Sequence, residues 1–142
     1  MLLNGKPLAE SLRQMRNYDP EHNPDSSKWL DVDEDLRIAA VRRYHQKIRA
    51  KLPNAEAHAV AHVVVENQLA EGLPEAKHAL ERLRGEGLDR HESIHAIASV
   101  LMEHFWNLTN KPQHPGDPHA PYLAALEKLT ADSWRLSNRE HG

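Results

Sequence analysis

The chain of 142 residues contains no cysteine. That removes disulfides, thiolate metal sites and a cysteine nucleophile, and leaves any bound metal with nitrogen and oxygen ligands only. Long apolar runs are missing as well: nowhere do about 18 apolar residues follow one another, and the opening MLLNGKPLAESLRQMR lacks both an extended apolar stretch and a small-residue cleavage site. The expectation is a cytoplasmic protein with no membrane partner. Charge of one sign is lacking too. With 18 basic against 21 acidic residues and a net charge of -3, no global field draws nucleic acid. The one basic segment, RRYHQKIRAK, spreads Arg42, Arg43, Lys47, Arg49 and Lys51 around a helix that Asp31, Asp33, Glu34 and Asp35 precede, so it reads as a solvated face and no nucleic-acid partner is expected. Phosphate-binding Gly-rich loops and G-x-S-x-G are absent. HESIH at 91–95 has one residue too many between glutamate and second histidine to be a metalloprotease HE-x2-H. The sequence names no reaction.

What the chain does have is histidine, 11 residues of it, against one Phe, three Tyr and three Trp. His22, His114, His119 and His141 fall in stretches that read as solvated loop or tail. The others fall in a pattern of helices. A possible short helix with Leu8 and Leu12 on one side gives way to YDPEHNPDSS, which is turn chemistry, so residues 1–30 read as an arm or linker. Asp31 and Glu34 have capping-box spacing, and Ile38, Val41, His45, Ile48 and Leu52 then recur on one face until Pro53. Asn54 caps a helix over 55–70 that stops at Gly72, and Pro74 opens a short amphipathic one with Ala76, Leu80 and Leu83 inward, ending at GEG. Asp89 caps a helix over about 90–109 with an apolar stripe of Ile94, Ile97, Ala98, Leu101, Phe105 and Leu108. Four prolines within 111–121 end it, and Tyr122, Leu123, Leu126 and Leu129 carry a last helix that frays after Trp134. The expected fold is all-α: a single domain over 1–142, built as a bundle of about five helices with its core over about 31–136, an irregular N-terminal arm and a frayed tail over 137–142.

Within AHAVAHVVVENQ, at 57–68, two histidines and a glutamate stand in a helix that is otherwise mostly alanine and valine. Each helical residue advances by about 100 degrees, so His58, His62 and Glu66 make one stripe on adjacent turns. A helix so apolar is buried nearly all round, and an unpartnered buried polar group costs about 1–3 kcal/mol, so the stripe needs partners. DRHESIHAIASVLMEHFW supplies a second stripe of His91, His95, Ser99 and Glu103, with Trp106 one turn on. If the short helix over 74–84 runs back, the two longer helices point the same way, His58 lies level with His91 and His62 with His95, and four imidazoles converge. Two histidines at i, i+4 can present two nitrogens to one metal. The expected ligands are therefore His58, His62, His91 and His95, with Glu66 and Glu103 as further ligands, acceptors that orient an imidazole, or a base on bound water. The ion would be one divalent transition metal, Zn, Fe, Mn or Ni. The alternative is a non-enzymatic interaction module, a homo-oligomer or a partner-binding protein, in which the stripes are a buried hydrogen-bond network and Trp29, Leu30 and Trp134 are docking candidates.

The pattern H-x3-H with a following E and Q, then RH-x3-H-x7-E-x2-W, stands here as His58, His62, Glu66, Gln68, Arg90, His91, His95, Glu103 and Trp106. Over roughly residues 55–110 it resembles a family of uncharacterised bacterial helical proteins classed as a domain of unknown function, with Glu66 displaced by one residue from the family's position. The resemblance implies a shared helical core and a shared polar site, and lends no activity.

Overall fold

Asp25 starts a helix within a stretch whose residues read as turn chemistry. Its side chain accepts from the backbone of Lys28 at 3.1 Å and from the Ser27 hydroxyl at 2.9 Å, and this cap starts a helix inside the expected arm. The structure, a computed structural model, describes residues 2–3, 6–50, 54–111 and 116–141. They form α1 (Leu8–Arg16), α2 (Ser26–Asp31), α3 (Glu34–Lys47), α4 (Ala55–Ala70), α5 (Pro74–Gly85), α6 (Arg90–Asn110), α7 (Ala120–Lys128) and α8 (Ala131–His141). Beside the helices, β1 (Leu2–Leu3) pairs antiparallel with β2 (Lys6–Pro7). The chain is thus helical as expected, but with eight helices among the described residues rather than about five. It also parts into two compact units, Met1–Glu71 and Gly72–Gly142, where a single domain was expected.

The additional helices have local causes. The helix expected from Asp31 starts at Glu34 behind Asp33 and ends at Lys47, because the chain turns there in a Schellman motif: Ala50 N–H donates to His45 C=O at 3.0 Å and Arg49 N–H to Gln46 C=O at 3.1 Å. Arg49 takes the left-handed position with φ 55°, a place that glycine usually holds. The expected end of that helix, Leu52 and Pro53, lies outside the described residues, as does His114. Near the C-terminus one expected helix is two. Thr130 and Ser133 exchange side-chain to backbone bonds, Thr130 N–H to Ser133 Oγ and Ser133 N–H to Thr130 Oγ1, both at 3.0 Å, which restarts the helix as α8 and carries it to His141 through the expected tail.

In the first unit α1 packs on α3, and α2 and α3 on α4. The core is Met15, Trp29, Val32, Ala40, Val41, Ala59 and Val63. Trp29, a docking candidate by sequence, is core: its ring is buried, and its indole N–H donates to Asn67 Oδ1 at 2.9 Å. Arg37 completes the joint, donating to Asn67 Oδ1 at 2.8 Å and to the carbonyls of Val32 and Leu30, with its guanidinium 5.9 Å from the Trp29 ring.

In the second unit α5, α6 and α7 pack on one another around Ala76, Ala79, Leu83, Leu88, Ile94, Ile97, Leu101 and Leu126. The expected boundaries hold there. Pro74 is in the first turn of α5, and α5 ends in a second Schellman motif with Gly87 at φ 103° and the buried pair Leu83 and Leu88 as its apolar contact. Arg82 donates to the carbonyls of Leu126 and Leu129, at 3.1 and 2.7 Å, and so satisfies the end of α7. Phe105 departs from its expected core position and is 44% exposed. No helix among the described residues is long and apolar enough to cross a membrane.

Candidate metal centre

The first unit builds its polar site from α4, α3 and the turn after α1. Asn54 caps α4 as expected, accepting from Ala57 N–H at 3.0 Å, and His62 and Glu66 are completely buried on that helix. Between these two stands Tyr18. Its hydroxyl donates to Glu66 Oε2 at 2.5 Å and lies 2.8 Å from His62 Nε2. A phenol has one proton, and with that proton directed to Glu66 it can only accept from His62, so His62 carries its hydrogen on Nε2 and its lone pair on Nδ1 when neutral. Tyr18 is itself placed by Trp29, ring centroids 5.2 Å apart.

His45 comes from the last turn of α3. It is buried, and its Nδ1–H donates to Val41 C=O at 2.9 Å, which leaves Nε2 as the lone-pair nitrogen of a neutral ring. Its ring stands edge-on to His62 at 5.3 Å and to His58 at 6.2 Å. Burial holds the His45 pKa below the usual imidazole value, against the Val41 bond, which favours the charged form. For His58, half-buried, burial and then the neighbouring His45 act in the same direction. Both groups are therefore biased toward the neutral form that can bind a metal.

In the second unit Asp89 caps α6 as expected, accepting from Glu92 N–H at 2.7 Å. One turn apart on that helix, the rings of His91 and His95 lie 4.2 Å centroid to centroid and are half-buried. Glu103 is on the same helix but exposed. Arg90 is buried, Gln68 half-buried and Trp106 58% exposed. Farther along, His104 Nε2 is 3.3 Å from His119 Nδ1, and the His104 ring stacks on Tyr122 at 5.6 Å. Burial, and then His119, lower the His104 pKa.

Four imidazoles form one group: His45, His62, His91 and His95 each offer a ring nitrogen, and these nitrogens all lie within 4.8 Å of one another. Three of the four histidines expected from sequence are in it. His58 is not, nor are Glu66 and Glu103; Glu66 accepts from Tyr18 instead, and Glu103 faces outward. Sequence reasoning passed over His45 and Tyr18. His45 did carry a signal, since the stripe of Ile38, Val41 and Ile48 already set an imidazole at an apolar position. Tyr18 carried none, lying in a turn-rich stretch with no periodicity.

No protein-family model, no curated protein and no solved structure matches the chain.

Proposed function

We propose that this is a metal-binding helical protein, in which His45, His62, His91 and His95 hold one divalent transition-metal ion. The observation that carries the reading is the convergence of four ring nitrogens, three of them on the H-x3-H pairs. A nitrogen-only set suits Zn, Ni, Cu or Fe better than the hard cations Mg and Ca. Two features around the set support it. His45 bonds a backbone carbonyl through one nitrogen, and His62 bonds Tyr18, which bonds Glu66, the arrangement by which a carboxylate or carbonyl orients a ligating imidazole and raises its basicity. The resemblance to the uncharacterised helical family belongs to the same proposal, as a shared polar site.

The test is elemental analysis of the full chain, purified without an affinity tag and exposed to equimolar Zn, Ni, Cu and Fe in turn. About one equivalent of one metal is expected, with a melting temperature that rises with metal concentration. Less than about 0.2 equivalents of every metal would overturn the proposal and leave the second reading, a hydrogen-bond network in an interaction module. The chain of half-buried Tyr18 with buried His62 and Glu66 favours that reading independently, and in it His62→Ala lowers the melting temperature while no metal is ever bound.

A further inference from the structure

Tyr18 also lines a groove of about 440 Å³ in the first unit, between the end of α1, the turn that follows it and α3. Arg16, Arg43 and Lys47 line the same groove. Arg43 and Lys47 stand one turn apart on α3, and Arg16 closes α1, which packs on α3. Among the described residues none of the three is in an ion pair. Two acids, Asp19 and Glu21, line the groove as well, against the three basic side chains, and Asp19 commits both carboxylate oxygens to its own turn, one to Glu21 N–H and one to His22 Nδ1, each at 3.0 Å. Helix polarity accounts for a basic residue near the end of α1 and of α3. It does not account for Arg43, nor for the meeting of all three at one concavity. Met15 and Ala40, both buried, give the groove an apolar floor, and Tyr44 gives it an aromatic wall.

We infer that this groove binds a small organic anion, a phosphate or carboxylate joined to a flat apolar body. Arg16, Arg43 and Lys47 take the anionic group, with the arginine fork suited to two of its oxygens, and the body lies along Tyr44 and Met15. The groove names a substrate class for the site proposed above, because the hydroxyl of its lining residue Tyr18 is 2.8 Å from His62, a member of the four-histidine group. That link rests on the metal reading; anion binding itself does not.

The experiment is calorimetric titration of the metal-free full chain with phenyl phosphate, inorganic phosphate, benzoate and uncharged benzyl alcohol, beside the variant Arg43→Glu/Lys47→Glu and the milder Arg43→Gln/Lys47→Gln. Both changes fall on exposed side chains and spare the core. Phenyl phosphate or benzoate is expected to bind with a dissociation constant below about 1 mM, and the arm that binds more tightly identifies the anionic group. Benzyl alcohol should not bind. The Glu variant is expected to weaken binding by at least about tenfold and the Gln variant by less, while zinc uptake, measured on separate metal-exposed samples, stays that of the parent. Absence of binding by all three anions up to about 10 mM would overturn the inference, as would equal binding by the Glu variant. Metal uptake without anion binding sinks the groove alone; anion binding without metal uptake sinks the metal centre and leaves the groove standing.

Discussion

Helices α4 and α6 carry the same spacing, H-x3-H, and use it differently. On α6 both imidazoles enter the four-histidine group, their rings 4.2 Å apart and half-buried. On α4 only His62 does, and the place that sequence spacing gives to His58 is taken by His45 from α3. The reason is packing. α4 is buried on most sides, so α3 lies directly against it and brings a ring from its last turn over His62, edge-on at 5.3 Å. A ligand pair on one helix is only a local offer, and the neighbouring helix decides how much of it is taken up. The supports differ as well: His62 is fully buried and bonds the Tyr18 phenol, which in turn donates to Glu66, whereas His91 and His95 are half-buried.

The sharpest way to break this comparison is to remove one histidine from each helix. His62→Ala should cost about 3 kcal/mol in urea unfolding of the metal-free protein, because it opens a buried space and removes the ring N–H that the Tyr18 hydroxyl accepts from. His91→Ala, at a half-buried position, should cost less than about 1 kcal/mol, yet both should reduce metal uptake. Equal costs would mean that the two helices support their histidines alike. Next in size is Tyr18→Phe, expected to cost about 1–2 kcal/mol by leaving Glu66 without its phenol donor. A loss within error would show that the phenol is not what holds this stripe.

Acid should act on both units. His45 and His58 in the first and His104 in the second have folded-state pKa values below 6.5, so below that pH the unfolded chain takes up more protons than the folded one. Stability of the metal-free protein should therefore be level above about pH 7 and fall as the pH drops through 6.5 toward the lowered values. His104→Phe should flatten part of that slope. A stability that rises on acidification through this window would contradict a net lowering of these imidazole pKa values.

Smallest are two backbone changes at helix ends. Gly72 follows α4 with φ 80° and has open space around its Cα, so Gly72→Ala meets no clash and should cost about 1 kcal/mol from conformation alone. Arg49→Gly, at φ 55°, should stabilise by about 0.5–1 kcal/mol by relieving the left-handed strain at the end of α3.

Where the sequence carried the fold, it did so through apolar periodicity bounded by strong caps. Asn54, Gly72, Pro74 and Asp89 set the limits of α4, α5 and the start of α6, and those limits are observed. The extra helices came from side chains read as turn chemistry, Asp25 and the Thr130/Ser133 pair, whose bonds start a helix as readily as a turn. Phe105 and Ile48 sit on apolar stripes and are nonetheless exposed, since periodicity names a face and not how far along the helix that face stays covered. The candidate site divides in the same way. Spacing along one helix pointed to His62, His91 and His95. Choosing His45 over His58, and finding Tyr18, depended on contacts between elements distant in sequence, which periodicity does not encode.

The most direct measurement is the zinc dissociation constant of His45→Gln beside that of His58→Gln, in the full chain at neutral pH. With His45 as the fourth ligand, His45→Gln should weaken binding by at least about a hundredfold and His58→Gln by less than about threefold. Strong loss in His58→Gln with near-parental binding in His45→Gln would contradict the account.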